Sequence, residues 1–243
     1  EYYKTVRASQ KAIDSVQGLY FETSDPKETN QLETQYKTAL TELETQQKDF
    51  EERSKGMMAH HIVRASRQYN PPTPVKEPQV YIEEIKAHFF DSMDVNDSVL
   101  AHSSFITDRM GDYVLYLNQS DTQEASNILQ KEAIDKAVNW AGDKYVLLEK
   151  FEESLIQEYL HMQNTPMVQY VMDEHYMELP KEVQDIQFMS KITASMKTAI
   201  GVRAPDFSWE VEGEEKHLYG LMGTDYYIVL FFSSGCPHCQ MEV

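Results

Sequence analysis

Asp25-Pro26-Lys27-Glu28 opens the stretch that decides the fold, and Leu32, Tyr36, Ala39, Leu43, Gln46 and Phe50 carry it forward. Asp25 can accept a bond from a free backbone N–H, Pro26 fits the first helical position, and Glu28 stands where a capping-box carboxylate reaches back. The following residues alternate by four and three among polar neighbours, the seam of a long two-helix hairpin or coiled coil. Upstream, Val6, Ile13, Val16 and Tyr20 recur at helical spacing. The stripe is narrow. The hairpin is therefore expected to project from the body or to pair with another chain, as a homodimer through the N-terminal helices.

Outward from the hairpin (residues 1–69), Asn70-Pro71-Pro72-Thr73-Pro74-Val75-Lys76-Glu77-Pro78 excludes helix and favours extended, polyproline-like backbone. Residues 70–79 are expected to be a linker. Residues 80–201 predict an antiparallel multi-helix bundle, with helices near 80–92, 96–118, 121–142, 144–163, 166–179 and 182–200. Ser120-Asp121-Thr122-Gln123 has the form of a capping box, and Thr165-Pro166 that of an N-cap followed by an N1 proline. Apolar residues such as Ile128, Ile134, Val146, Phe151, Leu155, Tyr159, Val168 and Tyr176 supply the inward stripes. No internal repeat with matching residues is present.

At Gly201 the texture changes. Ala204-Pro205-Asp206-Phe207-Ser208-Trp209 predicts an extended segment, followed by a Gly- and Glu-bearing loop. Tyr226-Tyr227-Ile228-Val229-Leu230-Phe231-Phe232 packs aromatic and β-branched residues without alternation, which predicts a strand buried on both faces. The expected class is thus mainly α, with the first strands of an α/β domain in residues 202–243.

Composition excludes two function classes. The 243 residues carry 40 Asp and Glu against 22 Lys and Arg, a formal net charge of −18. Such a surface repels nucleic-acid phosphates and anionic membranes alike. The longest dense apolar run, Tyr226–Phe232, is far short of the ~20 residues that a membrane-spanning helix requires.

Chemistry concentrates at one place. The chain has two cysteines, and both lie in Cys236-Pro237-His238-Cys239, straight after the expected strand. At a helix start, free N–H groups and the positive dipole end stabilise a thiolate at the first cysteine. Cys236 would attack a substrate disulfide and Cys239 would resolve the mixed disulfide. Pro237 holds the first turn, and a protonated His238 would add positive charge beside the thiolate. Zinc ligation and an incidental pair are the alternatives. Zinc asks for four ligands, and no second Cys-x-x-Cys or His-x₃₋₅-His completes the set.

The run from Ala204-Pro205-Asp206-Phe207 through an acidic loop to Tyr226–Phe232 and Cys236-Pro237-His238-Cys239 resembles the start of a thioredoxin-like domain of the TlpA/ResA type. These are bacterial cell-envelope thiol-disulfide oxidoreductases, and the stretch 80–201 is similar to a helical module that precedes the domain in one Gram-negative branch. The resemblance implies Cys236 as nucleophile and Cys239 as resolving cysteine. It implies protein thiols or disulfides as partners, a membrane or soluble redox partner, and a periplasmic or cell-envelope location, with no cofactor. It also implies that the later strands and cis-proline loop of that fold lie beyond Val243, so these residues alone are expected to be inactive or impaired. A helical binding or dimerisation module that positions a redox domain is the alternative function. A peroxiredoxin shares the proline-bearing entry segment, but the Pro-x₃-Thr-x₂-Cys arrangement that holds its peroxidatic cysteine is absent here.

The remaining chemistry-bearing residues have plainer readings. Methionines such as Met162, Met167, Met172, Met177, Met189 and Met196 fall on apolar helical stripes and are expected as core filler. Glu158-x-x-His161 has di-iron spacing, but no second Glu-x-x-His accompanies it. His60-His61 and acidic clusters such as Glu152-Glu153 are expected on solvated helix faces.

Overall fold

The computed structural model describes residues 1–197, 202–230, 233 and 235–242. Its helices run α1 (Tyr2–Glu22), α2 (Pro26–Ser54), α3 (Ala59–Ala65), α4 (Pro78–Ala87), α5 (Ser98–Ala101), α6 (Phe105–Leu115), α7 (Gln123–Ala141), α8 (Tyr145–His161), α9 (Thr165–Glu174), α10 (Ile186–Lys197) and α11 (Pro237–Glu242). Short 3-10 turns stand at Tyr176–Glu178 and Leu218–Gly220. Among the described residues the only strands are β1 (Ser208–Val211) and β2 (Glu214–His217). The class is mainly α, as the helical periodicity of the apolar residues dictates. The chain divides into two compact units, Glu1–Ile186 and Gln187–Val243.

In the first unit α1 and α2 form the expected hairpin. Ile13, Tyr36 and Leu43 are its inaccessible centre, with Val6, Val16, Ala39 and Leu40 packed around them. The seam that the spacing marked is therefore covered within the chain. Asp25 caps α2, its Oδ1 accepting from the Lys27 amide at 2.9 Å. Glu28 closes the cap differently from a standard box. It takes the Thr23 hydroxyl, and Thr23 Oγ1 accepts from the Asp25 amide at 3.3 Å. Asp25→Ala is expected to lower stability by about 1 kcal/mol, typical of a lost N-cap, and urea denaturation at pH 7 measures it. A loss below ~0.3 kcal/mol would mean that Thr23 and Glu28 hold the turn alone.

The Pro-rich segment expected to be a linker lies along this hairpin. Its prolines keep it extended, which leaves backbone polar groups in need of partners. Gln17 answers both ends of Val75, donating to its carbonyl at 2.6 Å and accepting from its amide at 3.1 Å. The Tyr36 hydroxyl donates to the Pro71 carbonyl at 2.9 Å. Helix α1 has no basic residue in its last turn. The Lys76 ammonium supplies one, reaching the terminal carbonyls of Tyr20, Phe21 and Thr23. Residues 70–79 thus belong to the first compact unit, Glu1–Ile186.

The bundle differs from the expected spans in ways that local chemistry explains. Asp97 caps a one-turn helix by accepting from the amides of Val99 and Leu100, so 96–118 divides into α5 and α6. Thr122, not Ser120, caps α7, taking the Ala125 amide at 3.2 Å. Ser120 is occupied by a two-way exchange between its backbone and the Ser126 hydroxyl. The cap of α9 is Asn164, one residue before Thr165. Helix α10 starts at Ile186, after Gln184 donates to the carbonyls of Met177 and Leu179. Ile106, Met110, Ile134, Phe151, Leu155, Ile156, Tyr159, Met167, Val168, Val171 and Tyr176 form the buried centre. Ile128, Val146, Met162 and Met177 face solvent instead of filling it.

In the second unit the Glu-rich loop is a hairpin. β1 and β2 pair antiparallel from Ser208↔His217 to Val211↔Glu214. Glu212 and Gly213 both take positive φ, +53° and +85°, as a two-residue turn matched to strand twist requires. Tyr219 ties the hairpin back, its amide donating to Asp206 Oδ1 at 3.1 Å and its ring carrying the Arg203 guanidinium at 3.9 Å.

The buried strand expected at Tyr226–Phe232 is not formed by its described residues. Tyr226 to Leu230 have no strand pairing, and Tyr226 and Ile228 are 87% and 95% exposed. Phe231 and Phe232 lie outside the described residues. A strand buried on both faces needs neighbouring strands, and among the described residues β1 and β2 pair only with one another. No helix among the described residues is long and apolar enough to cross a membrane.

Candidate functional site

The strand expected ahead of Cys236 is not formed by its described residues, and Cys236 stands immediately before the first turn of α11. Its amide donates to the Ser233 carbonyl at 3.1 Å, and its own carbonyl accepts from the Gln240 amide at 3.1 Å. Pro237 begins the helix where its missing N–H costs nothing. Cys236 is thus the N-cap residue, and its side chain occupies the place where serine or aspartate caps other helices.

That position acts on the thiol. The Cys236 pKa is lowered, first by the backbone N–H of Cys239 and then by the Cys239 thiol, against desolvation, with the His238 N–H the weakest contribution. The donors two and three residues on are those an N-cap side chain reaches. With six residues α11 is short for a macrodipole, so local N–H groups carry the effect. Both cysteines are half-buried, and no disulfide joins them. Pro237 and His238 are exposed beside them. The four residues singled out by spacing thus form the start of α11, with the Cys239 thiol one turn on from Cys236.

Other titratable groups lie elsewhere. His61 Nδ1 is 2.5 Å from Asp97 Oδ2; desolvation pushes the Asp97 pKa up, but that bond and the capping N–H groups of Val99 and Leu100 together bring it below the usual value. In the bundle, Asp135 accepts from the Tyr170 hydroxyl at 2.7 Å and lies 3.1 Å from His175 Nε2. Burial lowers the His175 pKa while Asp135 opposes the shift. Glu152 is not on a solvated face but 1% exposed, and burial pushes its pKa up to about 8. Among the described residues no group of three or more His, Cys, Asp or Glu is placed to hold a metal ion.

Glu152 was discoverable in the sequence. It stands four residues from both Leu148 and Ile156, on the stripe that also carries Phe151, Leu155 and Tyr159. Comparison with family models, curated proteins and solved structures finds no match for this chain.

Proposed function

We propose that this chain carries the reacting thiols of a thioredoxin-like thiol-disulfide oxidoreductase acting on protein thiols or disulfides in a cell-envelope compartment. The observation that carries the reading is the N-cap position of Cys236, with its pKa lowered by the backbone N–H groups of Cys239 and His238 and by the Cys239 thiol.

The chemistry balances within the pair. The Cys236 thiolate attacks one sulfur of a substrate disulfide, forming a mixed disulfide and expelling a thiolate that takes a proton from solvent. Cys239 then loses its proton and attacks Cys236 Sγ, closing the intramolecular disulfide and releasing the second substrate thiol. The substrate gains two electrons and the cysteine pair loses them. Reversal oxidises a dithiol. The compartment and the protein partners rest on the family resemblance of residues 204–239.

A second reading is favoured by a different observation. Residues 1–186 hold a buried core of their own, so the helical part suits a binding module that positions the redox segment.

The test uses Ellman's disulfide at pH 7. Wild-type chain is expected to release two thionitrobenzoates per chain, and Cys239→Ser one, leaving a stable mixed disulfide on Cys236. Cys236→Ser is expected to react about tenfold or more slowly, as an ordinary thiol does. Equal rates for the two variants, with Cys236 alkylating at an ordinary thiol pKa near ~8.5, would overturn the redox reading and leave the binding-module one.

A further inference from the structure

Residues 1–186 contain two adjoining cavities that share Gln10, Asp14, Gln68 and Arg109 as a common wall. The first, about 440 Å³, is mainly apolar, walled by Tyr81, Ile82, Ile85, Phe89 and Leu117. The second, about 610 Å³, adds Arg7 and Lys11 of α1. Volumes of this size are those of small-molecule sites, and an apolar wall with a few convergent polar groups is their usual lining.

The charge is the telling feature. A chain with 40 acidic and 22 basic residues places three cations around the second cavity, against one carboxylate. Arg7 and Lys11 are exposed and enter no ion pair among the described residues. Arg109 is held in place: Nη1 lies 3.1 Å from Asp112 Oδ2, and the guanidinium stacks 4.3 Å from the Phe89 centroid. One N–H is thereby engaged, and the planar fork has five. Asp112, which also lines the first cavity, is spent on Arg109, and the opposing group left is Asp14. Its Oδ1 already accepts from Gln10 Nε2 at 3.0 Å, while Gln10 is itself fixed by a two-way amide pair with Asn70.

We infer that this groove binds a small amphipathic organic anion, its apolar body in the Ile82–Ile85–Phe89–Leu117 cavity and its carboxylate or sulfonate head among Arg7, Lys11 and Arg109. The inference is independent of the cysteine chemistry. An organic cation is the contrary occupant, because Asp14 and the aromatic wall would suit it, and the two differ in the sign of every charge test.

The experiment is titration of the full chain with anilinonaphthalenesulfonate, followed by fluorescence, with competition by decanoate, decanol and decyltrimethylammonium. Decanoate is expected to displace the dye at one site per chain and to bind about tenfold or more tightly than decanol. The double variant Arg7→Glu/Lys11→Glu, on exposed positions of α1, should weaken decanoate about tenfold or more, and Asp14→Asn should tighten it. Leu117→Trp, which fills the apolar cavity, should weaken both decanoate and decanol. Thermal melts of each variant confirm that dye binding is read on folded protein. Stronger binding of decyltrimethylammonium than of decanoate would overturn the inference, as would indifference to the Arg7/Lys11 charge reversal or a weakening by Asp14→Asn.

Discussion

Glu152→Leu is expected to make the protein more stable at pH 8 than the wild type and to remove much of its loss of stability between pH 5 and pH 8. Glu152 is 1% exposed on α8, and its Oε2 has no hydrogen-bond partner. Burial alone raises its pKa from 4.5 to about 8. A buried carboxylate lacking a countercharge is cheaper to protonate than to keep ionised.

The sign follows from proton binding. Between pH 4.5 and 8 the folded chain holds a proton on Glu152 that the unfolded chain has released, so stability falls as pH rises. The contribution is fully present below the unfolded value and is lost through the folded one. At 1.36 kcal/mol per pH unit, the loss is about 3 kcal/mol by pH 7 and about 5 kcal/mol above pH 8. Glu149 is raised in the same direction, by burial first and then by Glu153 and Asp185, so the wild-type slope contains more than one group. The difference between wild type and Glu152→Leu isolates one of them. Urea denaturation at pH 5, 6, 7 and 8 measures it, and parallel curves for the two proteins would show that Glu152 is ionised and solvated after all.

The same residue shows what a one-dimensional reading gains and misses. Asp25-Pro26 announced the start of α2 because a cap and an N1 proline are local chemistry, complete within three residues. The Leu32, Tyr36 and Leu43 stripe announced the hairpin because burial follows the helical period. Ser120-Asp121-Thr122-Gln123 marked the start of α7 but two residues early, for it is the Thr122 hydroxyl that takes the Ala125 amide. Four prolines in residues 70–79 dictated an extended path but not the side chains of Gln17, Tyr36 and Lys76 across the fold that pin it. The run Tyr226–Leu230 has strand composition, yet strand pairing is a property of neighbours, and local propensity cannot supply them. For the cysteines, the helix start was legible because Pro237 marks it. The groove beside Arg109 was not, since its walls come from segments as far apart as α1 and α6.

Leu43→Ala is expected to cost about 2–5 kcal/mol, the range for emptying a closed leucine site. Leu43 is 1% exposed and belongs to the same closed cluster as Ile13 and Tyr36, which is filled entirely from α1 and α2. Leu43→Glu should cost more, because a carboxylate there must be ionised without a partner or protonated out of its normal range. Either variant should lower the melting temperature of the hairpin, measured by circular dichroism. A Leu43→Ala protein within ~1 kcal/mol of wild type would mean that the α1–α2 seam is loosely packed and able to refill the gap. This placement also decides how self-association through the N-terminal helices is tested. A mass change in Leu43→Glu protein would report collapse of one chain's core and not the parting of two chains. Leu19, 53% exposed on α1, is the informative position: Leu19→Glu spares the buried seam while placing a charge on an exposed apolar site of the N-terminal helices. Sedimentation of that variant separates the two cases, since only an interface formed on this face would dissociate while the melting temperature of the isolated chain stayed put.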